Sequence, residues 1–269
     1  MLQPPLQSTV ERWAWDYITS TELSYKLEPP AVPARWEKTP PERRLHRPGR
    51  PAQLVLLKKS RKFQGPGALR NAVGRARIVH TFVHHEMQAA ELMGWALLAF
   101  PHTPPAFRRG LLAICHEELR HMRLYVAYLR KHGSEFGTYP VRDWFWERVP
   151  RVDTAAQFVA VMGLGLEGGN LDHSDRFARW FRDAGDEEAA AILDTVRTEE
   201  VRHVRFAVGW FRRFAGGLDF DVWRAHLPLP LSPTVMRGER LNQVDRARAG
   251  LDAAFLARLS EWQCNAPGS

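Results

Sequence analysis

The chain spells one phrase twice: residues 117–130 read EELRHMRLYVAYLR and residues 199–212 read EEVRHVRFAVGWFR. In each copy a glutamate precedes a histidine by three positions, Glu118 with His121 and Glu200 with His203. On a helix that spacing points both side chains the same way. The neighbours at three and four spacings are mostly apolar, Leu111 and Ile114 in the first copy and Leu193, Val196, Ala207 and Trp210 in the second. Both pairs therefore belong on core-facing stripes, where an unpaired charge costs at least several kcal/mol, by rough reckoning. The repeat demands two long helices and something to neutralise the acids they bury.

Long stretches of three-and-four apolar spacing run from Ala68 onward, broken only at clear punctuation. They predict helix A from Ala68 to Phe100 and helix B from an N-cap at Thr103 to a stop at Gly133. Helix C is expected from Asp153 to about Asp183, and helix D from the AGDEE turn to Gly216 and Gly217. A short helix over residues 9–27 and a last helix over 244–262 flank them. Between the first helix and Ala68 lies EPPAVPARWEKTPPERRLHRPGRPAQ, where prolines remove backbone donors and forbid a regular helix. The expected fold is all-α: an antiparallel four-helix bundle with a B-to-C crossover over 68–217, an N-terminal helix and basic arm over 1–67, and a C-terminal extension with one helix over 218–269.

Two cysteines, Cys115 and Cys264, exclude a disulfide framework and a four-cysteine iron site. The N-terminus lacks the layout of a signal peptide, and the longest apolar runs, GWALLAF and VAVMGLGL, are far shorter than a bilayer span. The expectation is a soluble, cytoplasmic protein with no membrane partner. Of the formal charge of +8, residues 35–63 account for an excess of eight, with ten Lys or Arg against two Glu.

A bundle that binds two metals needs one further carboxylate from each of its other helices. Glu86 lies 32 residues before Glu118 and Glu167 lies 33 before Glu200, so each returns to a matching depth across a helix turn. Glu91, the rival in helix A, points about 140° away from Glu86 at helical periodicity and is read as solvated or as an outer partner. Glu86, Glu118, His121, Glu167, Glu200 and His203 thus form the candidate ligand set. Oxygen donors with two imidazoles suit two divalent ions such as iron or manganese, whether two irons, a mixed pair or two manganese ions.

The sequence resembles the ferritin-like superfamily of di-iron carboxylate proteins. More closely, it resembles an uncharacterised bacterial family, related to tRNA-hydroxylase-type di-iron enzymes, whose helix A reads like HIELQAIEL and whose preceding arm reads RPGRP. The counterparts here are HHEMQAAEL at 84–92, RPGRP at 47–51, and the segments beginning at Glu117 and Glu199. The resemblance covers roughly residues 43–217 and implies that the six residues are ligands in a ferritin-like bundle. Two places depart from it. Where the family is expected to read Glu-Ala-Arg-Gly, this chain has Glu-Gly-Gly-Asn from Glu167 to Asn170, which either opens the site beside Glu167 or serves close packing. Tyr125 follows His121 by one turn, where the second copy has Ala207. A similar position holds the radical tyrosine of ribonucleotide reductase small subunits, which makes Tyr125 a candidate catalytic residue; the alternative is a pocket-lining tyrosine.

Related bundles place an acid such as Glu117 or Glu199 on the free ring nitrogen of the opposite histidine. That pairs Glu199 with His121 and Glu117 with His203, unless both acids salt-bridge Arg120, Arg123, Arg202 or Arg205 instead. His80, His84 and His85 are read as surface or packing residues. The expected function is a dioxygen-activating di-iron oxidoreductase that hydroxylates or cleaves a small organic substrate, with an external electron donor. The alternatives are a tRNA-modifying hydroxylase whose basic arm, with Trp36 and Phe63, holds nucleic acid, and a non-enzymatic metal store or oxidant scavenger.

Overall fold

The computed structural model describes residues 3–59 and 65–263. Arg61, Lys62 and Phe63 of the basic arm, and Cys264, lie outside the described residues. The chain divides into two compact units, Met1–Pro150 and Arg151–Ser269. Regular structure among the described residues is entirely helical, and their one β pairing is an isolated parallel bridge between Leu56 and Val141. No described helix is long and apolar enough to cross a membrane.

In the first unit, α1 (Val10–Thr19) starts at Thr9, whose hydroxyl accepts the Arg12 N–H. The single helix expected over 9–27 is broken. Ser20 adopts an extended ψ of 138°, its hydroxyl accepts the Glu22 N–H, and α2 (Leu23–Leu27) begins afresh. A serine offering the backbone a local bond competes with helix continuation, which apolar spacing alone does not register. The arm then runs without helix, as its prolines require. It is tied down by backbone: the Arg43 N–H donates to the Leu98 carbonyl, the Gly49 N–H to Ile18, and the Trp95 indole to Leu45.

The long hairpin of this unit is α3 (Ala72–Ala99) and α4 (Pro105–Lys131), packed along their length across the turn 100–104. Helix A begins later than predicted because Pro66–Arg70 winds as a 3-10 turn and Asn71 caps α3 through the Gly74 N–H. Thr103 is not the cap of α4. Its hydroxyl donates to the Phe100 carbonyl within the turn, Pro104 takes the cap position, and Pro105 sits where a missing N–H costs nothing. Helix α1 lies on α3 at Gly94, where an added Cβ would meet the Ala14 Cβ at 3.5 Å.

The second unit repeats the hairpin with different winding. Expected helix C is α5 (Ala155–Phe158), a π segment over Val159–Glu167, and α6 (Gly168–Asp183). Its partner α7 (Glu187–Ala215) is capped by Asp186 and stopped by Gly216, whose φ of 79° is the left-handed turn that glycine adopts without strain. Helix α8 (Phe220–Ala225), capped by Asp219, was too short to read from periodicity. The last helix expected over 244–262 is two, α9 (Gln243–Arg248) and α10 (Ala253–Glu261). Gly250 breaks them at φ 101° and Asp252 caps the second.

A candidate metal centre built twice

In the first unit α3 carries Glu86 and α4 carries Glu118 and His121. The His121 Nδ1 lies 3.4 Å from Glu118 Oε2 and 3.6 Å from Glu86 Oε2, and all three side chains are buried. In the second unit Glu167 ends the π segment, and α7 carries Glu200 and His203, with His203 Nδ1 2.9 Å from Glu200 Oε2. These three are buried too. Within each half, one donor atom from every residue of the triad lies within 4.8 Å of the others. The three-residue spacing produces this directly, because it lays the imidazole beside the carboxylate one turn away and aims both at the upstream glutamate of the hairpin partner.

The electrostatics fit a cation. Burial pushes the Glu86 carboxyl well above the usual carboxylate range; the His121 hydrogen bond opposes that rise and the neighbouring Glu118 adds to it. Two acids and an imidazole crowded out of water form a costly arrangement, and a divalent ion among them would offset the burial and relieve the repulsion. Each half therefore has the donor chemistry for iron or manganese.

Tyr125, the tyrosine expected one turn after His121, is buried in α4 with its ring centroid 5.5 Å from that of Phe82. Glu117 and Glu199 are half-buried beside their triads. Of the three further histidines, His80 and His84 are buried packing residues: His80 Nε2 accepts the Gly137 N–H at 2.8 Å, and His84 Nε2 bonds Asp143 at 3.1 Å. His85 is half-buried and stacks on Phe145.

Glu91 corrects the sequence reading, being fully buried and not solvated. Its carboxylate takes Lys26 Nζ at 2.7 Å, both Arg50 Nη atoms at 2.7 and 2.8 Å, and the Trp146 indole at 2.7 Å. Burial raises its pKa, yet Arg50 and Lys26 prevail and hold it below the ordinary value. Arg50, the second arginine of RPGRP, also grips Asp143 at 2.9 Å.

The second half contains the same device. Asp172 stands five residues after Glu167, as Glu91 stands five after Glu86, and it too is buried. Arg246 of α9 holds it with Nε at 3.0 Å and Nη2 at 2.8 Å, while the backbone N–H groups of Gly238 and Asn242 complete its shell. Each upstream glutamate is therefore followed by an acid clamped by an arginine from the adjoining terminal segment. The glycine pair after Glu167 serves the same packing, since a Cβ at Gly168 would meet Arg246 Nη1 at 3.2 Å and one at Gly169 the Met236 carbonyl at 3.3 Å.

A family model spans residues 5–257, both clamps included, and its description is "Protein of unknown function (DUF455)". The chain belongs to the DUF455 family. No curated protein and no solved structure matches it.

Proposed function

We propose that the two hairpins combine as a ferritin-like four-helix bundle, and that Glu86, Glu118 and His121 with Glu167, Glu200 and His203 hold two iron ions for dioxygen-dependent oxidation of an organic substrate. The observation that carries this reading is the duplicated triad, in which each half buries two carboxylates against a histidine Nδ1. Bound iron(II) with open positions would supply the electrons for dioxygen reduction, and an external donor would restore them. The chain's own part is to fix the donors in space, exclude water with the apolar stripes around them, and govern protons through Glu117 and Glu199. In this reading Glu199 holds the far nitrogen of His121 and Glu117 that of His203. Glu199→Gln should weaken metal binding, and unchanged affinity would remove that contact from the account. In this reading Tyr125, one turn after His121, borders the oxidising side of the centre, so Tyr125→Phe should alter turnover without altering metal content.

The test is oxygen uptake by the iron-loaded protein in the presence of reductant. Consumption that depends on Glu118 and Glu200 is expected; an iron-loaded protein that leaves oxygen untouched would defeat the reading. Among the described residues of the arm, Arg35, Lys38, Arg47, Lys58 and Lys59 are exposed and would hold an RNA substrate, whereas Arg43 and Arg50 are committed to Glu37, Glu91 and Asp143. Neutralising Lys58 and Lys59 would then weaken RNA binding and reduce its salt dependence.

A further inference from the structure

In the second half a polar residue outside the triad touches a candidate ligand. Three residues after Glu167, Asn170 points its amide at Glu200, with Nδ2 3.2 Å from Oε1. The buried Ser174 hydroxyl donates to Asn170 Oδ1 at 3.1 Å, which sets the amide the right way round to donate through nitrogen. The other oxygen of Glu200 is the one 2.9 Å from His203 Nδ1. Thus one carboxylate oxygen is occupied by an amide and the other is turned towards the histidine. In the first half the residue three after Glu86 is Ala89, which has no donor to offer Glu118.

Gly168 and Gly169 help to aim Asn170. Their bare faces let the Met236 carbonyl and Arg246 approach α6 closely, and the Asp172–Arg246 pair locks that face one turn on. With those contacts made on one side, the helix presents Asn170 to α7. The Glu-Gly-Gly-Asn stretch is then a unit: two glycines for the clamp and one amide for the ligand.

We propose that Asn170 is a positioning residue that restricts Glu200 to one metal-facing oxygen and makes the two metal positions unequal. The inference rests on the metal reading above. An amide holding one oxygen limits how the carboxylate can swing between one-oxygen and two-oxygen binding, and outer partners of this kind are typically worth about ten- to a hundredfold in metal affinity. Ala89 stands at the equivalent place in the first half, so this amide restriction falls on the Glu200 and His203 side.

Anaerobic titration of the full chain with iron(II), and separately with cobalt(II) followed by its visible spectrum, tests this. Wild-type protein should bind two ions. Asn170→Leu and Asn170→Asp, the latter keeping the shape but losing the donor, should each weaken one ion about tenfold or more. The second ion should keep its affinity, and the cobalt spectrum should change for the weakened ion only. Retention of a wild-type melting temperature by the metal-free Asp variant would separate this effect from misfolding. If Asn170→Asp binds both ions with wild-type affinities and spectrum, Asn170 has no positioning role and the metal reading survives. Wild-type protein that binds no metal overturns both.

Discussion

The two hairpins carry the same triad on differently spaced helices. Four residues before the upstream glutamate and four after the histidine, the first hairpin sets Phe82 against Tyr125 with ring centroids 5.5 Å apart. At the equivalent places the second hairpin sets Gly163 against Ala207, so closely that a methyl on Gly163 would overlap the Ala207 methyl. One half packs aromatic rings beside its triad, and the other packs small residues on a π-wound segment. The difference teaches that the repeat preserves the donors and the acid clamps while packing diverges around them. Chemistry fixes Glu-x-x-H and the acid five residues after each upstream glutamate; the size of the space beside the triad is free to vary.

The clamps offer the largest test of this equivalence. Among the described residues Arg246 is the one side-chain cation bonded to Asp172, whereas Glu91 keeps Lys26 when Arg50 is removed. Arg246→Met should therefore cost about 3–5 kcal/mol of unfolding free energy, the range for breaking a buried pair. Arg50→Met should cost less. Chemical denaturation of the metal-free variants measures both, and the reverse order would break the comparison between the two clamps.

The packing contrast predicts the next effect. Gly163→Ala forces the π segment and α7 apart, at about 1–3 kcal/mol for an overpacked contact, with weaker metal binding in the second half. A thermally silent Gly163→Ala would mean the small-residue contact carries no constraint.

A further effect concerns pH and is read at His80 in the first unit, although burial also lowers the pKa of His173 in the second unit to about 4. Burial lowers the His80 pKa to about 4, so the unfolded chain takes up a proton there before the folded one does. Stability is consequently lost as pH falls from 6.5 towards 4. Arg50 and His84 overcome the burial of Asp143 and hold its carboxyl at about 2; that contribution is full above 3.8 and fades towards pH 2. His80→Gln should flatten the slope between pH 6.5 and 4 by on the order of 2 kcal/mol relative to wild type. An unaltered slope would mean that His80 is protonated in the folded state.

Much of this was legible before any coordinates. Helical periodicity predicts the two long hairpins within a few residues, because α3, α4 and α7 are long apolar-patterned helices and α3 and α7 are capped by Asn71 and Asp186. Glu-x-x-H spacing assembled each triad for the same reason. The misreadings lie where tertiary contacts override local pattern. Ser20 and Gly250 divide helices that periodicity joins, and Thr103 gives its hydroxyl to Phe100 in place of capping α4. Sequence spacing leaves Glu91 either solvated or an outer partner, because its cations arrive from residues 26 and 50, distances over which spacing is silent. The same holds for Asp172 and Arg246, 74 positions apart.

The central claim is that two matched triads each contribute to one pair of bound ions. Metal per chain after anaerobic iron(II) loading and removal of excess tests it most directly, comparing wild type with Glu118→Ala, Glu200→Ala and Glu91→Ala. The account predicts two irons in the wild type, loss of metal in both triad variants, and two irons in Glu91→Ala wherever that variant folds. A wild-type chain that retains no iron, or triad variants that retain both ions, would contradict it.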